Sequence, residues 1–453
     1  MEIVEFNHEQ AADYLQSISL ERFASNLFQR RGGELLLQPR GGVGGLYNQQ
    51  ELMSVLSHGG ADFLPITIDS NTRLGDEKVA AKLLEREEHE GIKLLNGFPL
   101  TVHGVEKTRW LCNHFGKPIS LRHGTPDARR LVGFALQSGI TDIEGGPISY
   151  LFPYSRSADI KTTLLNWAEV ERMCSALSTQ ERKINRESFG PLTATMVPPT
   201  ITIAVQILEL MFSISCGVKS FTVSFGQLPS INQNLICNAA LRSAVKELGR
   251  FVNMDDIDVH YGFHQWMGAF PYSREKAISL ISLSTFLAKT MEINKMITKT
   301  YEEAFGVPSA EDNRKSLEFI IYTKERGGRF PVDLTDEMQR EIEMTLSEVF
   351  RIIDPVMLPF KMAMQGKGSE EFYKSISDLL VKGHLDIPFA PHEKNGNRLL
   401  TVNDEESSIR IFRAGYMNYS QEFLDYELSK IGSRVKNNSI SEILLDDIMW
   451  FNK

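Results

Sequence analysis

The chain has 453 residues, enough for one large core or for two or three domains of ordinary size. It is 42% hydrophobic and 24% charged, which excludes global disorder. A formal charge of −9 argues against a nucleic-acid surface, which needs a clustered basic footprint.

In chain order, the opening "MEIVEFNHEQ" has neither a basic n-region nor an apolar h-region, so no export signal is expected and the expected location is cytoplasmic. Residues 8–30 carry helical periodicity and are assigned to an N-terminal helical cap spanning residues 1–32. "RRGGELLLQPRGGVGG" is read as strand and turn, since "ELLL" interrupts what would otherwise be an Arg-Gly tract. From about residue 33 to 310 one pattern recurs: a short apolar or β-branched run, a Gly/Pro-rich turn, then a longer amphipathic segment. Candidate strands are "ELLLQP", "DFLPITI", "KLLNGF", "PISLR", "ITDIE", "KINRE", "SFTVSF", "IDVHYGF" and "KMITK". Stretches such as Asn48–Ser57, Asp76–His89 and Asn234–Phe251 are long enough for helices between them. Such alternation implies parallel pairing. The expected fold is α/β, a (β/α)8 TIM-type barrel over residues 33–330, with at least one of the nine candidates in excess. A doubly wound open sheet is the alternative, weakened by the lack of GxGxxG after the first strand.

The apolar stretch Thr200–Gly217 contains Gln206 and Glu209 and is read as a core helix, not a membrane span. After residue 331 the character changes. A helix is expected from a Thr335 cap, another in "SEEFYKSISDLLVKG", short strands in "NGNRLLTV" and "SIRIFRAGYM", and a last helix in "SISEILLDDIMWF". Residues 331–453 are therefore assigned to a mixed α+β C-terminal subdomain.

In a barrel the C-terminal strand ends build the site. They supply Arg40, Asp69 with Arg73, Asn96, Arg122 with His123, Glu144, Glu187, His264, and Lys299 with Glu303. Any one of these alone is more often a cap, a turn partner or a solvated group. Three arginines at one mouth need a counter-charge, and guanidinium forks pair with carboxylates or phosphates. A phosphate would use a glycine-rich loop opening a helix, as Gly41–Gly45 offers. A small dicarboxylate is the other candidate, with Glu144 facing an ammonium group, and the residues point to an acidic amino acid. Tyr150, Phe152 and Tyr154, with Pro153, line a pocket or pack in the core. Lys299 is a Schiff-base lysine, a ligand contact or a partner of Glu303.

Other chemistries fare worse. His260 and His264 lie four apart without an HExxH motif or a third ligand, so no metal site is expected. No GxSxG elbow occurs, and Cys112, Cys174, Cys216 and Cys237 lack CxxC spacing and are read as reduced thiols.

The strings "QPRGGV", "GGADFLPITIDSNTR", "LLNGFP", "LRHGTPDAR", "EGGPISYLFPY", "INRESFGPLTATMVPP", "FHQWMGAFP", "KMITKTYEEAFGVP" and "LDIPFAP" stand in this order along the chain. Together they resemble the large (epsilon) subunit family of glutamate mutase, also called methylaspartate mutase. The resemblance implies an adenosylcobalamin-dependent radical rearrangement interconverting L-glutamate and threo-3-methylaspartate. It implies a barrel covering the cobalamin, and a small (sigma) subunit that carries the corrin through a DxHxxG motif. "DVHYGF" (Asp258–Phe263) is a near miss to that motif inside a candidate strand, so the partner subunit is expected. The family further implies self-association of the large subunit and a heterotetramer of two large and two small chains.

By the same resemblance Arg40, Arg73 and Arg122 match the arginines that grip the substrate carboxylates, and Glu144 matches the carboxylate facing the amino group. His123, Tyr150 and Tyr154 match substrate contacts; Arg122 and Glu144 are the residues assigned to catalysis. Gly42, Asn96, Pro153, Phe270, Lys299, Glu303 and Val307 align with positions lining the coenzyme, Val307 replacing a slightly larger aliphatic. Departures are Ser188 in place of a usual proline, Pro147 in place of a glycine, and a different "SFGQLPSIN". Three rivals remain: a mutase for another acidic amino acid, a catalytically silent barrel that binds the cobalamin subunit, and a lyase using Lys299 as a Schiff base.

Overall fold

Eight of the nine candidate strands form: β1 (Leu36–Gln38), β2 (Leu64–Thr67), β3 (Ile119–Arg122), β4 (Asp142–Glu144), β5 (Asn185–Ser188), β6 (Ser220–Gly226), β7 (Asp258–His264) and β8 (Lys295–Ile297). The structure is a computed structural model describing residues 6–191, 196–328, 333–432, 434–435 and 439–452. All pairings in the eight-stranded sheet are parallel, in the order β1-β8-β7-β6-β5-β4-β3-β2. The two edges meet: the Leu37 carbonyl accepts from the Asp62 and Phe63 amides at 2.9 and 3.2 Å, and the Thr67 amide donates to the Gly41 carbonyl at 3.0 Å. The sheet thereby curls into a nearly closed (β/α)8 barrel ringed by helices.

The ninth candidate, "KLLNGF", is not a strand. Only Phe98 bridges to the barrel, opposite Ile68. The amides of Leu94 and Leu95 are taken by the Glu87 carboxylate at 3.1 and 3.0 Å, so a side chain satisfies what a ladder would have. Asn96-Gly97 then turns the chain toward Pro99, which caps the helix Leu100–Asn113.

The periodicity of residues 8–30 divides into the helix His8–Ser17, a 3₁₀ turn Leu20–Arg22 and the helix Ala24–Arg30. Ser19 interrupts it by accepting from the Glu21 amide at 3.2 Å. The second helix lies against the N-terminal end of the barrel. Ala24, Leu27 and Phe28 cluster with Leu36 and Phe63, and the Phe28 ring stacks on His260 at 4.0 Å. His260 thus sits inside a barrel strand at the closed end, as does the whole "DVHYGF" string in β7.

Helices stand where the spacing placed them, at Leu46–His58, Glu77–Glu90 and Ile231–Phe251. In the helix Pro199–Ser215 every residue but Ser215 is buried, because the helix Asp336–Met364 covers its outer face. That long helix starts from Thr335, whose side chain accepts from the Met338 amide, and passes Pro355 and Pro359 before it ends. The hairpin β9 (Leu400–Asn403) and β10 (Ile409–Arg413) is antiparallel. Gln233 ties it to the barrel through two bonds of 2.9 Å with the Ile409 backbone. The expected boundary at 330/331 lies outside the described residues. Among the described residues no helix is long and apolar enough to cross a membrane.

The barrel interior is not apolar throughout. Lys295 Nζ lies 2.6 Å from Asp142 Oδ2 and 2.7 Å from Glu187 Oε2, all three side chains being at most 1% exposed. Asn185 donates to Asp142 Oδ1 at 2.6 Å, and Ser120 bonds both Gln38 and Asp142. Buried charge is tolerated when paired in this way.

Candidate active site

The mouth is built from the last residues of neighbouring strands. Arg122 ends β3 and Glu144 ends β4, and their side chains are 8% and 3% exposed. Arg122 Nη1 lies 2.6 Å from Glu144 Oε2, aligned as an ion pair and not as a hydrogen bond. Both atoms therefore keep their directional capacity for a ligand. Glu144 Oε1 accepts from the Tyr150 hydroxyl at 2.5 Å. Burial, with the Glu144 charge beside it, pushes the Tyr150 phenol well up, so it remains a donor.

His123 follows Arg122. Its Nδ1 accepts from the Thr125 amide at 3.2 Å, which places the proton of the neutral ring on Nε2, a buried atom with no hydrogen-bond partner of proper geometry. Burial first, and the Arg186 guanidinium second, push its pKa down to about 3. The ring meets Tyr150 edge-on at 4.9 Å and stacks on Trp167 at 5.9 Å. Arg73 ends the one-turn helix Ser70–Arg73, and its Nη1 donates to the His123 carbonyl at 3.2 Å. Asp69 turns out to be the cap of that helix, accepting from Asn71 and Thr72. Tyr154 stands at the rim, 42% exposed, with its ring T-shaped on Tyr150 at 5.1 Å.

The loop carrying Tyr150 is held from below. Gly145 has φ +111°, and a Cβ there would meet the Tyr150 ring at 2.5 Å. At Gly146 a Cβ would lie 2.3 Å from Glu209 Oε1. That oxygen receives the amides of Ile148 and Ser149 at 2.9 and 2.8 Å. Ser188, the departure from proline, donates to the other Glu209 oxygen and accepts from Gln206 at 3.0 Å. Beneath, the fully buried Arg186 is forked by Glu171 at 2.8 and 3.0 Å and donates to the Gly145 carbonyl at 2.7 Å. Sequence reasoning assigned no role to Arg186, Glu171 or Glu209. A lone carboxylate within the apolar run "ILELMF" was the visible signal for Glu209.

A second group gathers beside the first. Lys299 Nζ lies 2.6 Å from Glu303 Oε2, and Arg40 Nη1 approaches the same oxygen at 3.6 Å. Burial first, then the Arg40 charge, brings the Lys299 pKa down to about 8. Its ammonium sits 5.9 Å from the Phe270 ring. Phe270, Lys299 and Glu303 line a cavity of about 350 Å³ that Met449 and Asn452 border. His264, buried at the end of β7, lies within electrostatic reach of Lys299, Arg122 and Arg40, which joins the two groups at one mouth.

Of the remaining expected site residues, Gly42 is buried against Thr67, where a Cβ would fall 2.3 Å from a carbonyl oxygen. Asn96 is exposed and accepts from the Ser70 amide at 2.9 Å. Pro153 is half-buried between the two tyrosines, and Val307 is 79% exposed on the loop after β8. Glu187 stands in register beside Glu144, with its Oε2 turned inward to Lys295.

The family model described as Methylaspartate mutase E chain (MutE) matches residues 19–453. The chain belongs to this family. Among its relatives, the glutamate mutase epsilon subunit of Yersinia enterocolitica is 33% identical over 98% of this chain and 91% of its own length. That of Haloarcula marismortui is 33% identical over 98% and 89% of the two chains, and that of Halobacterium salinarum 36% over 87% and 80%. Membership of a mutase family makes the chain an isomerase subunit.

Proposed function

We propose that this chain is the large catalytic subunit of an adenosylcobalamin-dependent mutase interconverting L-glutamate and threo-3-methylaspartate. The observation that carries the reading is the buried Arg122–Glu144 pair at the barrel mouth, whose facing atoms hold no hydrogen bond. A glutamate needs two anion sites and one cation site, and this mouth offers them. Arg40, Arg73 and Arg122 hold the carboxylates as forks, and Glu144 accepts from the ammonium group, steadied by Tyr150. Neutral His123 presents Nε2–H to a substrate oxygen, and Tyr154 closes the rim. Arg122 and Glu144 are the catalytic pair in the sense that both touch the substrate and fix its orientation.

The second group suits the coenzyme. Lys299 and Glu303 offer a donor and an acceptor beside an apolar Phe270 face, in one cavity. By the family resemblance, Gly42, Asn96, Pro153 and Val307 are assigned to the coenzyme as well. When bound, adenosylcobalamin supplies the radical that takes a hydrogen atom from the substrate. The chain's own task is to hold the substrate rigidly and keep water out, for which fixed guanidinium forks and a closed barrel are suited. The corrin is carried by a small sigma-type subunit seated on the mouth, in a cytoplasmic heterotetramer joined through the large subunits. We divide the chain into a cap (1–32), a catalytic barrel (33–330) and a C-terminal subdomain (331–453).

The test is an anaerobic incubation of this chain with a small cobalamin subunit, adenosylcobalamin and L-glutamate, followed by NMR. Appearance of 3-methylaspartate only with all components present supports the reading. A complex that forms, binds coenzyme and yields no product overturns it in favour of another acidic amino acid or a silent barrel.

A further inference from the structure

Glu187 is the carboxylate that the site above leaves unused. Its Oε2 is bound by Lys295 at 2.7 Å, while its Oε1 is buried and has no hydrogen-bond partner. Glu187 pairs in register with Glu144 across β5 and β4, so the two side chains emerge on the same face of the sheet. Leaving a buried carboxylate oxygen unmatched is costly, which points to something that fills the position in the working enzyme.

Charge identifies what that is. Around Glu187 stand Lys295 on β8, Asp142 and Glu144 on β4, and Arg122 on β3. β6, the other neighbour, contributes only uncharged Thr222 at this level. Two cations thus face three carboxylates, and Asp142 is already engaged by Lys295, Asn185 and Ser120. Within this cluster one positive charge is missing.

We propose that Glu187 is a second acceptor for the substrate's ammonium group, which on binding displaces a proton from its Oε1. This deepens the proposed function and rests on it. The proton neutralises the pocket when it is empty, and the ammonium does so when it is full. A dicarboxylate without an amino group satisfies the arginines but cannot displace the proton, so the pair Glu144–Glu187 selects for an α-amino acid. Burial first, with Asp142 and Glu144 adding to it against Lys295, pushes the Glu187 carboxyl up to about 7, where exchange of one cation for the other is accessible.

The experiment is calorimetric titration of the reconstituted complex, carrying methylcobalamin so that no turnover begins, in buffers of different ionisation enthalpy. The ligands are L-glutamate and glutarate; glutarate subtracts any proton taken up by Lys299 when carboxylates bind. The expected glutamate-specific release is about 0.9 proton at pH 6, about 0.5 at pH 7 and about 0.1 at pH 8, for a group titrating near neutrality. This measurement uses the unaltered chain, so it does not depend on a variant folding. In Glu187→Gln the release disappears and the preference for L-glutamate over glutarate falls about tenfold or more. Equal release with both ligands, or undiminished release in the variant, overturns the role of Glu187 and leaves the proposed function standing. No binding of L-glutamate overturns the proposed function, and the Glu187 role falls with it.

Discussion

Arg122 Nη1 and Glu144 Oε2 face each other at 2.6 Å from the ends of adjacent strands, yet neither atom is aligned for a hydrogen bond. The pair is held by charge and leaves its directional bonding for something else. Arg122→Lys keeps the charge and removes the planar fork. We expect kcat to fall roughly 100-fold or more while coenzyme affinity changes less than about threefold, since orientation and not attraction is lost. Initial rates and coenzyme titrations on the reconstituted complex check this; an unchanged kcat would sink the assignment.

Tyr150→Phe deletes the donor to Glu144 Oε1 without emptying the space beneath Gly145. Loss of one hydrogen bond to a charged acceptor is worth about 1.5–3 kcal/mol, or roughly ten- to a hundredfold in kcat/KM for L-glutamate. The thermal midpoint should move little, which separates this outcome from a collapsed loop.

Lys299 titrates near 8, lowered by burial and by Arg40. Below that pH its ammonium makes a charge-assisted contact with the coenzyme; above it the contact weakens. Coenzyme affinity should therefore be flat from pH 6 to 7 and fall roughly fivefold by pH 9. In Lys299→Met the affinity is lower at neutral pH and the inflection is gone. A wild-type profile without an inflection would remove Lys299 from the coenzyme site.

Away from the mouth, one guanidinium serves three carboxylates. Arg410 meets Asp404 at 2.7 Å, Glu341 at 2.9 Å and Glu427 at 3.2 Å, and burial pushes Glu427 up to about 7. The folded chain thus holds this proton more tightly than the unfolded chain, in which a glutamate titrates near ~4.3. The stabilisation from it is complete below that value and is lost as pH rises toward 7. Glu427→Gln should flatten the decline, leaving the variant relatively more stable than wild type at pH 8 than at pH 5 by on the order of 2 kcal/mol. Urea unfolding at the two pH values measures it, and parallel declines would contradict it.

Gly146→Ala tests the support of the Tyr150 loop. The added Cβ would fall 2.3 Å from Glu209 Oε1, an oxygen already holding two amides. Displacing that buried carboxylate should cost about 2–4 kcal/mol, visible as a lowered urea midpoint.

The barrel was legible because its strands are short apolar runs cut off by turns, and because "SLRHGTP" places an Arg-His pair where such a run stops. "KLLNGF" has the same pattern, but Glu87, six residues upstream of Lys93, claims its amides, and a side-chain bond to the backbone leaves no trace in apolar periodicity. β5 formed where "KINRE" placed it, but its burial was not legible. "NRES" is polar throughout and buried throughout, because Arg186 is forked by Glu171 while Asn185 and Glu187 face the interior network. Polarity in a strand signals exposure only when no partner waits inside, and the partners come from β4, β8 and two helices distant in sequence. For that reason the arginines that follow apolar runs stand out in the sequence and the polar scaffold under them does not.

Phe28 and Phe63 stopper the barrel at the end away from Arg122. The packed interior is consequently sealed at that end, and a molecule bound beside Glu144 has no back exit. Whatever seats itself on the mouth traps the present occupant and bars the next. Filling must come before covering, and release must wait for uncovering, so the order of events is dictated by which end of the barrel is sealed.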